Sequence, residues 1–447
     1  MNNIADFEIN DRGWLVGYNG SDKEVTVPEG VVGLDNWAFS ANPHIESITV
    51  PGFVKSVSYK SIVGCDNLKK VIFEDGVERI GSIAVSLCPR LEYVSIPDSI
   101  LDMDKEWLYD CPNIRYNFDG AVKYLGNESN PYAVLAEGDK SLAEYSVKAG
   151  CRIILDEAFD GAEALGRVSF PDGIRVICFS AFRGCTHLSK VSFGEELCEI
   201  ESCAFDRTVI KEVKLPKSLK KIGWNAFGCP LEKISIQSDI CSVGKDSLGY
   251  GDLVFNEYEG GKYLGCEDNP YVILTEVADK NTESFKVHKD TVIIGSCAFS
   301  DCVKLCEIEL PEGIVTIGDG AFKNCYKLEK INFPSTLNTI SDSAFFCCFN
   351  LCDIKFPEGE IAIGSHAFCS CESLEEVVLE NASVGDNAFA ECTALETVKV
   401  GENCNLWGDY IFAWSFRLKK AILAEKFKDR LGDDAFEDCI DVEIEYV

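Results

Sequence analysis

A short unit of apolar and polar positions returns along the chain at nearly fixed spacing. The unit at Ile317 shows it in full: Ile317, Gly318, Ala321, Phe322, Cys325, Leu328, Ile331, Phe333 and Pro334. The same order returns at Ile222-Gly223, Ala226-Phe227, Cys229, Leu231, Ile234 and Ile236, and at Ile363-Gly364, Ala367-Phe368, Cys371, Leu374, Val377 and Leu379. The Phe-equivalent position falls at 39, 62, 85, 108, 159, 182, 205, 227, 248, 299, 322, 345, 368, 389, 412 and 436; that makes 16 units, mostly 23 residues apart, with two gaps of 51. Units this short cannot enclose their own apolar side chains, so each must bury them against the units before and after it. Leu328 to Phe333 alternates apolar and polar residues and ends at Pro334, which predicts a strand paired in parallel with its neighbours. Pro51, Pro97, Pro171, Pro216 and Pro311 end the equivalent strands, because proline has no N–H to pair. A second short strand is predicted at Thr316 to Gly318, with glycine where a side chain would obstruct a tight bend. Alanine then fits a narrow corner and phenylalanine fills the interior. At one strand spacing per unit, the predicted curved rod is roughly 75 to 80 Å long.

The two long gaps hold matching inserts, Lys123 to Leu135 and Lys262 to Leu274, 139 residues apart. Each sets a polar Gly/Asn/Pro cluster between two apolar-aromatic runs, which predicts a β-hairpin. Trp14 to Lys23 is a weaker echo. The expected organisation is a single continuous solenoid over 1–447 in three related blocks: 1–115 with an N-terminal cap, 116–255 opening with a hairpin insert at 116–145, and 256–447 opening with an insert at 256–285 and ending in a C-terminal cap.

The pattern Ile-Gly-x-x-Ala-Phe-x-x-Cys-x-x-Leu-x-x-Ile-x-Phe-Pro of Ile317 to Pro334 resembles the BspA-like leucine-rich repeat family, and its units cover most of residues 25 to 447. The resemblance implies a leucine-rich repeat solenoid, right-handed, curved and mostly parallel β, with short strands and turns and little helix. The family's best-known bacterial members are surface or secreted proteins that adhere to host matrix proteins or other cells, so the resemblance also implies an adhesin.

Charge narrows the partners. Lys plus Arg number 42 against 74 Asp plus Glu, a net charge of −32, which repels phosphate backbones and anionic headgroups. Nucleic acid and membrane insertion are therefore not expected, and no apolar run reaches the ~18 residues of a membrane span. Met1 to Phe7 shows no basic or apolar signal segment, which points to the cytoplasm; a surface or secreted location is the alternative if a signal has been removed. The 23 cysteines then read as reduced thiols rather than a disulfide framework.

Eleven of the 23 cysteines share one repeat position: Cys65, Cys88, Cys111, Cys185, Cys229, Cys302, Cys325, Cys348, Cys371, Cys392 and Cys439. That regularity predicts an inward-facing ladder. Cys151, Cys178, Cys198, Cys241 and Cys404 lie outside it and are candidates for exposure, as is Cys369. The densest cluster is Cys347, Cys348, Cys352, His366, Cys369 and Cys371, whose donors would suit zinc or a thiol activity. It lacks the paired Cys-x-x-Cys spacing of a zinc ribbon, so the expectation is no metal and no cofactor. The four histidines pair with nothing, and no phosphate-binding, Gly-x-Ser-x-Gly or His-Glu-x-x-His motif occurs. The chain reads as non-catalytic.

What remains is surface. With the strands lining the concave side, the outward position between the last two apolar residues of each strand forms a predicted row of Thr49, Ile72, Ser95, Asn117, Ser169, Ser192, Lys214, Ser235, Glu309, Asn332, Lys355, Val378, Lys399 and Ile422 on the concave face. A rigid extended face of this kind loses little entropy on receiving a protein or peptide partner. Tyr124, Tyr132, Tyr263 and Tyr271 of the inserts are the other candidate contacts, weighed against packing of the hairpins onto the solenoid. The function read from the sequence is a protein-interaction scaffold acting through that row or the inserts.

Overall fold

The computed structural model describes residues 2–103, 106–237, 239–428 and 433–447. The chain is a β-solenoid of leucine-rich repeats, and helix among these residues is confined to the 3-10 turns Ile4–Asp6, Glu425–Phe427 and Asp433–Phe436. No helix among them is long and apolar enough to cross a membrane. Contacts group the chain into two compact units, 1–219 with 225–231 and 248–251, and 220–224, 232–247 and 252–447.

In the first unit, the predicted Ile-Gly strands form a parallel ladder through Gly33–Leu34, Ser56–Val57, Arg79–Ile80 and Asp102–Met103. The strands that precede each proline form a second parallel ladder, Glu24–Thr26, Ser47–Val50, Lys70–Phe73 and Tyr93–Ser95. The second unit repeats both ladders, from Ile293–Ile294 to Asn405–Leu406 on one face and from Glu376–Leu379 to Glu443–Tyr446 on the other. The strand expected over Leu328 to Phe333 is reduced to single bridges, Glu307 with Lys330 and Lys330 with Asp353. The residues there include Asn332 and Asp353, whose side chains compete for backbone hydrogen bonds and disfavour strand.

Each insert is a three-stranded antiparallel meander rather than a two-stranded hairpin. Asn117–Asp119 pairs with Val122–Leu125, which pairs with Val134–Glu137. Val134–Glu137 then pairs in parallel with Ile153–Ile154 and so starts the next ladder. Asn256–Tyr258, Gly261–Leu264, Ile273–Val277 and Ile293–Ile294 repeat the device. The N-terminal echo is a shorter version, Phe7–Ile9 antiparallel to Trp14–Tyr18, with the latter parallel to Gly33–Leu34.

The third side of each turn carries the Ala-Phe-x-x-Cys segment; in the first block it forms a third parallel ladder, Phe39–Ser40, Ile62–Val63, Val85–Ser86 and Leu108–Tyr109, and in later turns the backbone bonds forward without forming regular strand. Phe299 N–H donates to Ala321 O at 2.8 Å, Phe322 N–H to Ala344 O and Phe345 N–H to Ala367 O, both at 2.7 Å. Left-handed residues flank this segment, such as Cys297 and Asp301, Ser343 and Cys347, and His366 and Ser370, with φ between 56° and 63°. Each such non-glycine residue costs about 1 kcal/mol or more. The compensation is that its N–H reaches the next turn: Cys297 to Asp319 O, Ser343 to Ser365 O and His366 to Asp386 O at 2.8 to 2.9 Å. Gly318 answers a different need. A Cβ there would sit 2.8 Å from the backbone nitrogen of Ser296 in the previous turn, so glycine is required by close approach.

The interior is built of columns. Phe159, Phe182, Phe205 and Phe227 stack with centroids 5.3 Å apart. In the second unit Phe299, Phe322, Phe345 and Phe368 stack at 4.9 to 5.0 Å, and Phe389, Phe412 and Phe436 continue the column. Because Phe322 is fully buried between two parallel rings, Phe322→Ala should destabilise the second unit by about 3 to 5 kcal/mol. Thermal or urea unfolding checks this, and an unchanged midpoint would show that the ring does not fill the core.

Candidate functional site

The predicted surface row is in register where its strands pair: Thr26, Thr49, Ile72 and Ser95 lie opposite one another, as do Ser146, Ser169 and Ser192. Lys286 opposes Glu309, and Val378 is followed by Lys399, Ile422 and Glu445. Asn117, Ser192, Lys214, Glu309, Asn332, Lys355 and Lys399 are exposed, Thr49, Ser169 and Ser235 are half-buried, and Ser95 is buried. Ser95 is covered because the row meets the first insert there. Gly126 bridges to Ser95, Asn127 donates to Ile96 O at 2.9 Å, and Asn130 donates to Asp98 Oδ1 at 2.6 Å and Gly150 O at 2.8 Å. Asn127 Oδ1 accepts from the N–H groups of Ser129 and Asn130, which fixes the turn. The polar cluster predicted as a hairpin tip is thus the clip that pins the insert to the last strand of the first block.

The clip closes one end of a groove of about 470 Å3. Its walls are Ile72 and Ser95 of the row, Lys70 and Tyr93 of the same two strands, and Asn127, Glu128 and Ser129 of the insert, with Glu74, Asp75 and Asp98 also lining it. Four carboxylates against one lysine make it an acidic groove with an apolar-aromatic wall.

Two of the four insert tyrosines cannot be contacts. Tyr124 and Tyr263 are fully buried. Tyr124 Oη lies 2.6 Å from Tyr145 Oη, and Tyr263 Oη accepts from the His288 N–H at 3.3 Å. Tyr132 and Tyr271 are half-buried, set edge-on to them at 5.2 and 5.4 Å, and Tyr271 also stacks on His288. The rings fasten the meanders to the core.

The cysteine column faces inward, and its thiols have a defined task. The thiols of Cys185, Cys325, Cys348, Cys371 and Cys392 donate to the Phe carbonyl of the preceding turn at 3.2 to 3.4 Å. Only Cys111 and Cys439 of the eleven are partly exposed. One expectation from the sequence needs correcting: Cys151, Cys178, Cys369 and Cys404 are buried rather than exposed, because neighbouring turns cover them although they lie outside the ladder. The Cys347 to Cys371 group is divided. Cys348 and Cys371 belong to the ladder, while Cys352 is exposed with its thiol on Glu329 O.

The donors that do converge lie elsewhere than the Cys347 to Cys371 group. Among the described residues Asp156, Cys178 and Glu201, from three successive turns of the first unit, bring one carboxylate oxygen, one Sγ and one carboxylate oxygen within 4.8 Å of one another. Cys178 is 2 % exposed. Burial, followed by the Glu201 and Asp156 charges, raises its thiol well above the ordinary range. Burial and the Asp156 carboxylate push Glu201 up to about 7, while its Oε2 accepts from the Phe179 N–H at 2.8 Å. One signal was legible in the sequence: Cys178 and Glu201 occupy the column held by glycine at 223, 244, 295, 318, 364, 385 and 408.

Short parallel strands, an inward Phe/Cys column and turn-to-turn bonding at every corner define a leucine-rich repeat solenoid. The profile of BspA-type leucine-rich repeat regions matches residues 18–115, 138–254, 277–383 and 362–444 in six copies, and the chain belongs to that family. A T. pallidum leucine-rich repeat protein of known structure is 28% identical over 40% of this chain and 92% of its own, with a TM-score of 0.34. A leucine-rich cell surface protein from Faecalibacterium prausnitzii is 21% identical over 98% of this chain and 92% of its own, with a TM-score of 0.27. The pneumococcal vaccine antigen PcpA is 20% identical over 97% and 88%, with a TM-score of 0.30. No curated protein matches the chain. The family is one of repeat scaffolds that generally bind proteins.

Thiol reactivity tests the inward column. Burial raises Cys185 and Cys229 to about 12 and Cys348 far above its ordinary value, and only thiolates react readily. In the native protein at mildly alkaline pH, exposed Cys198, Cys241, Cys297, Cys306 and Cys352 should be alkylated first. Cys325 and Cys348 should react only after unfolding, as mass mapping will show; native labelling at Cys325 would refute the inward column.

Proposed function

We propose that the chain is a non-catalytic scaffold that receives an extended segment of a protein partner along the row through Ile72 and Ser95. The observation that carries this reading is the groove where the row meets the first insert, lined by Tyr93, Ile72 and Asn127. An aromatic ring and an aliphatic side chain beside fixed polar groups are the makings of an interface anchor. Its carboxylates, Glu74, Asp75, Asp98 and Glu128, favour a segment carrying Lys or Arg, and the net charge of −32 steers such a partner inward.

The test is capture by the purified protein from two sources, host extracellular matrix proteins and the lysate of its own cells, read by mass spectrometry. A saturable matrix ligand makes the protein an adhesin displayed outside the cell. A specific ligand from the lysate, with no matrix binding, makes it an intracellular scaffold. With either ligand, Ile72→Asp combined with Tyr93→Ala should weaken binding at least tenfold, the loss of one anchor of about 1.4 kcal/mol or more. Lys355→Ala, in the second unit, should leave it unchanged. Equal binding by the groove variant would remove the groove from the reading.

A further inference from the structure

We propose that Asp156, Cys178 and Glu201 form a site for a divalent cation of zinc type, which clamps three successive turns of the first unit. The donor set is one soft sulfur and two carboxylate oxygens within 4.8 Å of one another. Zinc accepts that combination, with water as a fourth ligand, at about 2.3 Å to sulfur and 2.0 to 2.2 Å to oxygen. Tetrahedral closure brings the donors to about 3.5 Å, a contraction within reach of side-chain rotation.

Acidic neighbours alone would not point to an ion. The second observation is Cys178, whose side chain is 2 % exposed, points at both carboxylates and has no hydrogen-bond partner among the described residues. Most ladder thiols of the same protein do have partners: Cys185, in the same turn, donates to Phe159 O at 3.2 Å. A buried thiol facing carboxylates without a partner is an unusual arrangement, and a cation resolves it. The repeat pattern agrees. Cys178 and Glu201 stand in consecutive turns of a column that carries glycine at 223, 244, 295, 318, 364, 385 and 408 and small or other residues at Asp35, Ser58, Leu155 and Ser341, so two of the three donors fall where glycine is commonest. Asp156 also lines a cleft of about 240 Å3 together with Trp107, Tyr116, Leu125 and Leu155, so one of the three donors is open to solvent. On binding, the S–H bond breaks, its proton leaves to solvent, and a sulfur–metal bond forms with no change in oxidation state.

The experiment uses the full chain, stripped with chelator and titrated with Zn2+ by calorimetry and with Cd2+ by the ultraviolet thiolate-to-metal charge-transfer band. One ion per chain is expected, with the band present and the melting temperature raised. Cys178→Ala should abolish the band, and Glu201→Gln should weaken binding at least tenfold. Cys325→Ala, from the buried ladder, and Cys198→Ser, from the surface, should retain both. If the Cys178→Ala protein does not fold, the Glu201→Gln protein carries the test alone. Absence of binding, or binding that survives Cys178→Ala and Glu201→Gln but falls with Cys198→Ser, would overturn the site and assign the ion to exposed thiols.

Discussion

Everything in this structure depends on the contact of one turn with the next. No turn has an interior of its own. The ring of Phe322 is buried because Phe299 and Phe345 lie above and below it at 4.9 and 5.0 Å, and the carbonyl of Phe322 is satisfied in part by the thiol of Cys348 one turn on. The same dependence explains the left-handed residues at the corners. Their cost is set against backbone bonds that exist only when the next turn is in place, such as Ser343 N–H to Ser365 O. Stability is therefore shared between neighbours, as in any one-dimensional array, and the ends of a stack are where it is weakest. Cys111 and Cys439, partly exposed while the other ladder cysteines are buried, mark two such ends.

The inserts solve the problem of starting a stack. A parallel strand needs a partner on each side, and an open edge invites pairing with other chains. Val134–Glu137 has an antiparallel partner on one side and a parallel one on the other, so the meander caps the ladder that follows it. Tyr124 and Tyr263, buried to the hydroxyl, hold these caps in place. Tyr124 and Tyr263 are thus explained by packing, and the exposed parts of the first insert include Asn117 and Phe118 of its first strand and Glu128 and Ser129 of its tip.

The fold was legible because its determinants recur. A Phe, a Cys and a strand-ending Pro seen once say little, but at 23-residue spacing they identify the register, the two strands and the interior column. What was illegible is what occurs once. The groove arises from a contact between Ser95 and Gly126, residues whose proximity depends on how the insert folds back. The corner conformation was hidden because residues as different as Cys297, Ser343 and His366 adopt it; the backbone bond, not the side chain, selects it. Cys178 reads as exposed because it lies outside the ladder, although its column, otherwise rich in glycine, carries the information that the position faces the preceding turn.

Departures from the repeat are how function enters such an array. A repeat fixes every position for stacking, so a residue that breaks the pattern must be tolerated by its neighbours. Gly318 cannot gain a Cβ without meeting the backbone of Ser296, yet the same column holds Cys178 and Glu201 in adjacent turns. Two ionisable side chains at a position where glycine is commonest place half-buried carboxylates beside a buried sulfur, where an unpaired polar group is costly. Stacking supplies the geometry for this without any folding beyond the repeat itself, because residues 23 apart in sequence are neighbours in space. A solenoid can thus carry a local site in its wall and an extended surface on its face, each specified by departures from a pattern whose other members only hold the stack together.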